Sequence, residues 1–231
     1  MTSHEEKTIS ADPPHATESS ATPFLESGAY AVASQLDGFV FANIHDAASL
    51  EAFLSRLLSE AIGRFDLPVI RWAYERASQN DSQALMELDQ FFSSAPVPEP
   101  LRSASQRIGR AQLQGLAGMK GHRFLSRYRA AVESQPLAGY HVTVYGIFLY
   151  LFSIPLRQGL AGYAYQALNG FLAAAAAPLG LGREQKQALL DKICATVPQL
   201  IERSLVQQRE ATKVAEQVPC IRPPQPDRVN E

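Results

Sequence analysis

"GYHVTVYGIFLYLFSIPLRQGLAGYAYQALNGFLAAAAAPLGLG", residues 139–182, carries one formal charge, Arg157, one histidine, His141, and no acid or lysine. Such a block crosses a membrane, fills the inside of a helical protein, or forms a surface that another protein covers. Only 15 uncharged residues separate His141 from Arg157, and a spanning helix needs roughly 20. The part after Arg157 holds Gln158, Gln166 and Asn169, is broken by Pro178, and is apolar largely through alanine. Two such spans would also put Arg157 in a very tight hairpin. The block therefore reads as protein interior, two helices split at Pro155.

The same periodicity extends outward. Leu50, Phe53, Leu54, Leu57, Leu58, Ala61 and Ile62 form one apolar stripe at helical spacing, with Asp46 or Ser49 placed to cap its start. "FDLPVIRWAYERAS" reads as a second helix, with Asp66 as cap and Pro68 in its first turn. A third begins near Asp81. The three prolines of "APVPEP" make a stiff connector. "LRSASQRIGRAQLQGL" resumes helical spacing until "GMKGH" ends it, and Phe124, Leu125, Tyr128, Ala131 and Val132 mark a short helix. Leu190, Ile193, Cys194, Val197, Leu200, Ile201 and Leu205 predict one long amphipathic helix near the end. "HVTVY" is the sole β-branched alternation, and it runs straight into a helical pattern. The expected fold is a single all-α domain, a helical bundle of about eight to ten helices over residues 23–206. A polar, disordered tail (1–22) precedes it, and a helix end with a Pro-rich tail (207–231) follows.

Composition sets limits on function. The 231 residues are 46% hydrophobic and 19% charged with a net charge of −2, ample for a core and without the basic face that nucleic-acid binding requires. Two unrelated cysteines and a polar N-terminus without an apolar leader suggest a reducing, cytoplasmic setting. His4, His15, His45, His122 and His141 are scattered, and Cys194 and Cys220 have no C-x-x-C partner, so neither a zinc site nor a catalytic pair is legible. Cys194, on an apolar stripe, reads as a small buried hydrophobe, and His141 as a hydrogen-bonded structural histidine. "GLAGMKGH" fits neither phosphate-binding fingerprint and reads as a helix-ending loop. Gly146, Gly159, Gly162 and Gly170 lie inside helical patterns, where each costs roughly 1 kcal/mol relative to alanine. They are expected where helix backbones approach closely, inside the monomer or against a second copy or partner.

These segments also carry a resemblance. "LRSASQRIGR" resembles the R-x-x-S-x-x-x-G-R signature of UreF-type urease accessory proteins, through Arg102, Ser105, Gly109 and Arg110. "HVTVYGIFLYLFSIP" is similar to that family's H-x-P-V-x-[FY]-G segment through His141, Val144 and Gly146. "YAYQALNGFLAAAAAPLGLGREQ" is similar to its Y-x-Q … P-L-G-Q-T-x-x-Q segment through Tyr165, Gln166, Pro178, Leu179, Gly180 and Gln185. "SLEAFLSRLL" fits the family's early helix, and all four stand in the family's order over Ser49 to Leu205.

Departures accompany the matches. In "ESGAYAVASQLD", Gly28, Tyr30, Leu36 and Asp37 match the family's N-terminal signature, but Val32-Ala33 replace a His-Ser pair and Gln35 a glycine. Ala175 stands for an arginine and Leu181 for a glutamine, and the chain closes with "VPCIRPPQPDRVNE" instead of H-E-x-x-x-R-L-F. Partner contacts belonging to those places do not transfer.

The resemblance implies an all-α, homodimeric, non-enzymatic adaptor between a UreD/UreH-type scaffold and a UreG-type GTPase, acting on the urease apoprotein. Nickel is then delivered cargo, with no bound cofactor or metal and no membrane or nucleic-acid partner. It also implies that Arg102 and Arg110 can hold acidic groups on a partner, against the alternative of surface ion pairs worth little. Two other classes stand beside it. One is an enzyme with an unfamiliar helical site, which would need polar residues clustered in a pocket. The other is a helical interaction module repurposed to a client other than urease.

Overall fold

In the computed structural model the described residues are 44–94, 99–119, 121–134, 137–176 and 178–207. The expected N-terminal tail, Gly28, Tyr30, Cys220 and most of the expected Pro-rich tail lie outside them. Among the described residues every regular element is helical, as the periodicity requires: α1 (Ala47–Arg56), a π-helical run (Leu57–Asp66), α2 (Leu67–Ser78), α3 (Ser82–Ser93), α4 (Glu99–Gly115), a 3-10 turn (Leu116–Gly118), α5 (Arg123–Glu133), α6 (His141–Leu151), α7 (Leu156–Ala176), α8 (Arg183–Cys194) and α9 (Val197–Val206).

α6 lies at the centre. His141 to Leu149 are buried without exception, the state expected of a helix that is apolar all round. Removing side chains such as Ile147, Phe148 and Leu149 from water contributes roughly 1.5–3 kcal/mol each. α2 runs alongside α6, and Gly146 makes the approach possible: a Cβ there would lie 2.4 Å from the Ile70 carbonyl oxygen and 3.0 Å from the Tyr74 amide nitrogen. α4 crosses α6 on another side, α7 antiparallel to the α1–α2 run brings Phe171 to Phe53 and Tyr163 to Asp66, and α9 packs Leu200 under Gly63.

Two helix boundaries differ from the expected ones. Asp66 does not start a helix: its backbone is helical and its side chain caps nothing. The chain stays coiled from α1 into α2 through the wider π turns, with the Leu67 amide bonded to the Ile62 carbonyl. Pro68 follows without a break because proline suits the first turn of a helix. At the other end the long amphipathic helix is two helices, broken at Ala195–Thr196, with Pro198 in the first turn of α9. The caps of α1 and α3 lie where expected: the Asp46 carboxylate accepts from the Ser49 amide (2.7 Å) and the Asp81 carboxylate from the Ala84 amide (2.9 Å).

Candidate functional site

Ser105, Gly109 and Gln112 recur at i, i+4 and i+7 on α4 and face the start of α6. The first amides of a helix have no partner inside it, and here side chains of other helices supply them. The Ser105 hydroxyl accepts from the His141 amide (3.1 Å). Gly109 lets the two backbones meet, since a Cβ would fall 2.1 Å from the Gly139 carbonyl oxygen and 2.6 Å from the His141 nitrogen. Gln112 Oε1 lies 2.6 Å from His141 Nδ1; an amide oxygen only accepts, so Nδ1 carries the proton. Burial pushes the His141 pKa down to about 4, which keeps the ring neutral.

The other half of this clamp is Asp89, wholly buried on α3. Its carboxylate accepts from the Tyr128 hydroxyl (3.0 Å) and from the amides of Ala138 (3.0 Å), Gly139 (2.9 Å) and Tyr140 (2.9 Å). A carboxylate at the N-terminus of α6 is also favourably placed against the helix dipole. Arg110 holds the same loop from the opposite polarity, donating Nε to the Ala138 carbonyl and Nη2 to the Leu137 carbonyl (both 2.9 Å). Gly139, at φ +72°, turns the chain into the clamp.

The motif residues thus do not all meet at one site. Ser105, Gly109, Arg110 and His141 meet at one buried junction, and Gly146 sits a turn and a half along α6 at the α2 crossing. Arg102 lies apart, donating to the Ser93 carbonyl (2.7 Å) with Glu99 nearby (3.7 Å). The guanidinium groups of Arg102 and Arg110 are therefore directed at backbone carbonyls of their own chain. Pro178, Gly180 and Gln185 shape the α7–α8 connection: Gly180 is left-handed (φ +63°), the Leu181 amide bonds to the Ala176 carbonyl (3.0 Å), and Gln185 Oε1 accepts from the Gly182 amide (3.0 Å).

Asp89, Ser105, Arg110 and Gln112 are all directed at the chain's own backbone or side chains at the junction, so these residues build the fold. A family profile described as UreF matches residues 44–194, about two-thirds of the chain and all of the junction.

The chain belongs to the UreF family.

Similar proteins named "Urease accessory protein UreF" include those of Arthrobacter sp. (strain FB24), 27% identical over 78% of this chain and 77% of the relative, and Polynucleobacter asymbioticus, 25% identical over 80% and 79%. That of Methylobacillus flagellatus is 25% identical over 81% and 82%. On the solvent side of α7 the side chains are uncharged after Arg157. Gln158, Gly162, Tyr165, Asn169 and Ala173 form one uncharged stripe at helical spacing, and Tyr165 is 41% exposed. Gln166 lies beside it, half-buried.

Gly162 does not show the close approach within the monomer that is one of its two expected settings. The nearest neighbour of an added Cβ would be the Tyr145 hydroxyl oxygen at 3.8 Å, so among the described residues no helix backbone approaches there. Gly159 is tight, but against the Leu149 side chain (2.4 Å) and not a backbone. Cys194 is half-buried, with burial pushing its thiol pKa up. Among the described residues, no helix is long and apolar enough to cross a membrane, and no group of three or more His, Cys, Asp or Glu residues could hold a metal ion.

Sequence reasoning missed Asp89, Gln112, Tyr128, and the pair Asp66–Tyr163. Asp89 had a visible signal: an acid on the apolar stripe Leu85, Leu88, Phe92 needs a buried partner. The Tyr163 hydroxyl donates to Asp66 (2.9 Å), and its ring packs on Tyr145 and His141 at 5.1 and 5.7 Å.

Burial pushes the Asp66 carboxyl from 3.8 up to about 7, against the lowering effect of the Tyr163 bond. Because the folded value is the higher one, the native chain keeps a proton that the unfolded chain has lost. Stability contributed by the protonated form is complete below about pH 4 and declines as pH rises to about 7. Asp66→Asn has no such proton, so its stability relative to wild type should grow across that window and level off above it. Urea melts of both proteins between about pH 4 and 8 measure the difference. A difference that is flat with pH would refute the assignment. His141, depressed from 6.5 to about 4, titrates in the opposite sense in both proteins and cancels.

Proposed function

We propose that this chain is a urease accessory protein, a non-enzymatic adaptor that bridges a UreD/UreH-type scaffold and a UreG-type GTPase while nickel is inserted into apo-urease. The observation that carries it is UreF family membership across the helical body, together with an uncharged α7 face that bears the motif residues Tyr165 and Gln166. The junction residues maintain the fold on which that face is displayed. Nickel is cargo and the chain holds no resident cofactor. It works in the cytoplasm as a homodimer, with no nucleic-acid or membrane partner.

Reconstituted urease activation from the chain, scaffold, GTPase, apoprotein and nickel tests this reading. Wild type should support activation, and Tyr165→Ala should lower it about tenfold with its melting temperature unchanged, the loss of one anchor at an interface. If wild type co-purifies with neither scaffold nor GTPase, the adaptor reading is wrong and a client other than urease takes its place.

A further inference from the structure

The charge of this chain is unevenly spread. A net charge of −2 conceals a stretch, residues 100–132, that holds six arginines, one lysine and no Asp or Glu. Elsewhere Arg56 pairs with Glu60, Arg71 with Glu75 and Arg157 with Glu202. Within the stretch Arg102 meets Glu99, Arg129 meets Glu133, and Arg110 is directed at the Leu137 and Ala138 carbonyls. Arg107, Arg123 and Arg127 are exposed, and among the described residues no ion pair or side-chain hydrogen bond engages them.

This arrangement opposes local stability. Arg123 and Arg127 stand one turn apart on α5, and like charges at that spacing repel. Arg123 is also the first residue of α5, where the helix dipole favours an acid, and that first turn carries none. Local rules are broken in this way where function outweighs stability. The face is also separate from the α7 stripe. Tyr128 ties α5 to Asp89 of α3 (3.0 Å), and Phe124 meets the Tyr150 ring at the end of α6 (6.0 Å), whereas α7 packs on the α1–α2 run. On α3, Asp89 is buried and Glu87 accepts from Gln83 (3.4 Å), so neither pairs with Arg123 or Arg127. Arg107 adds charge from α4, the helix that grips the loop leaving α5.

Chemistry selects the occupant. Guanidinium groups bind carboxylates through two parallel hydrogen bonds, and side chains one helical turn apart, about 6 Å at Cβ, match carboxylates two residues apart in an extended acidic peptide. A membrane surface would need large apolar side chains on the same face. The exposed neighbours of the arginines are Ser126 and Ala130, while Phe124, Leu125, Tyr128 and Val132 are buried. A nucleic acid would need contacts to many phosphates, and a face this narrow meets few of them. We propose that the exposed face of α5, centred on Arg123 and Arg127, is a second docking surface that takes an acidic peptide segment of a partner protein. An adaptor that bridges two partners needs two separate faces, so this extends the adaptor reading, but the binding itself is tested without urease.

The probe is a fluorescein-labelled octaglutamate peptide, titrated with the full chain and followed by fluorescence anisotropy. Wild type should bind it at low salt and about tenfold more weakly at about 200 mM salt. Arg123→Glu with Arg127→Glu should weaken binding at least about tenfold. The melting temperature should not fall, because an acid replaces a base in the first turn of α5. Arg127→Gln, a milder change, should weaken binding about threefold and serves if the double reversal perturbs the fold. Arg76→Glu with Arg183→Glu changes the net charge equally at exposed positions of α2 and α8, and should leave binding within about twofold of wild type. Equal losses in the two double variants would overturn the proposal, since binding would then report net charge alone. So would no binding at low salt, or tighter binding of octathymidylate or of phosphatidylserine vesicles, which would assign the face to a nucleic acid or a membrane. Failure of peptide binding leaves the adaptor reading standing on its co-purification test, and failure of co-purification leaves the peptide result standing.

Discussion

Asp89→Ala is expected to destabilise the protein by about 3–5 kcal/mol, the cost of breaking a buried, fully engaged charge network. The carboxylate serves one phenol and three consecutive amides, and alanine leaves all four donors without that acceptor, the Tyr128, Gly139 and Tyr140 bonds being buried and that of Ala138 part-buried. Each unsatisfied buried donor costs about 1–3 kcal/mol, reduced by whatever the loop recovers on relaxing. For a chain of this size the melting temperature should fall by roughly 10 °C. A double-mutant cycle separates the network from a simple packing defect. Tyr128→Phe removes one of the four donors, so it should cost clearly less in the Asp89→Ala background than in wild type. Equal costs in both backgrounds would show that the Tyr128–Asp89 bond contributes nothing.

Gly109→Ala is the second large effect. A methyl group at 2.1 Å from the Gly139 oxygen and 2.6 Å from the His141 nitrogen overlaps backbone, which cannot swing aside as the end of a side chain can. Alanine improves helix propensity by about 1 kcal/mol, yet overpacking outweighs it, and a net loss of about 2–3 kcal/mol is expected. Displacing α6 from α4 also separates Ser105 from the His141 amide and Gln112 from its ring. Gly162→Ala is the contrasting substitution. Its nearest neighbour is 3.8 Å away, so only the propensity gain operates, and the protein should become more stable by up to about 1 kcal/mol. Chemical denaturation of the two variants against wild type decides the matter. Destabilisation by Gly162→Ala in dilute monomer would mean that α7 is crossed within the chain after all.

The contrast between these glycines shows what the one-dimensional pattern contains. Helical class was legible because burial on one face imposes a 3.6-residue period, and the uncharged block announced a helix buried all round, which α6 is. The caps at Asp46 and Asp81 were legible because capping is local, between residues three apart. Family membership was legible too, because the motif residues stand in order along the chain.

Which glycine meets a backbone was decided by tertiary structure alone. Gly109, Gly146 and Gly162 all sit inside helices, but the neighbour that makes Gly109 indispensable comes from residues 139–141, some thirty positions away. The same holds for Asp66, which reads locally as a cap because it precedes a proline. Helical continuity through the π turns, and a phenol arriving from Tyr163, turn it inward. Arg102 and Arg110 look like surface charges in sequence because nothing nearby marks the carbonyls they reach. Asp89 is the sharpest case: a polar residue on an apolar stripe says that partners are needed, while their identity depends on α3, α5 and the 137–140 loop meeting in space. Periodicity and capping act over one or two turns and can be read along the chain; close approach and hydrogen-bond pairing act across the fold and exist only once the helices have packed.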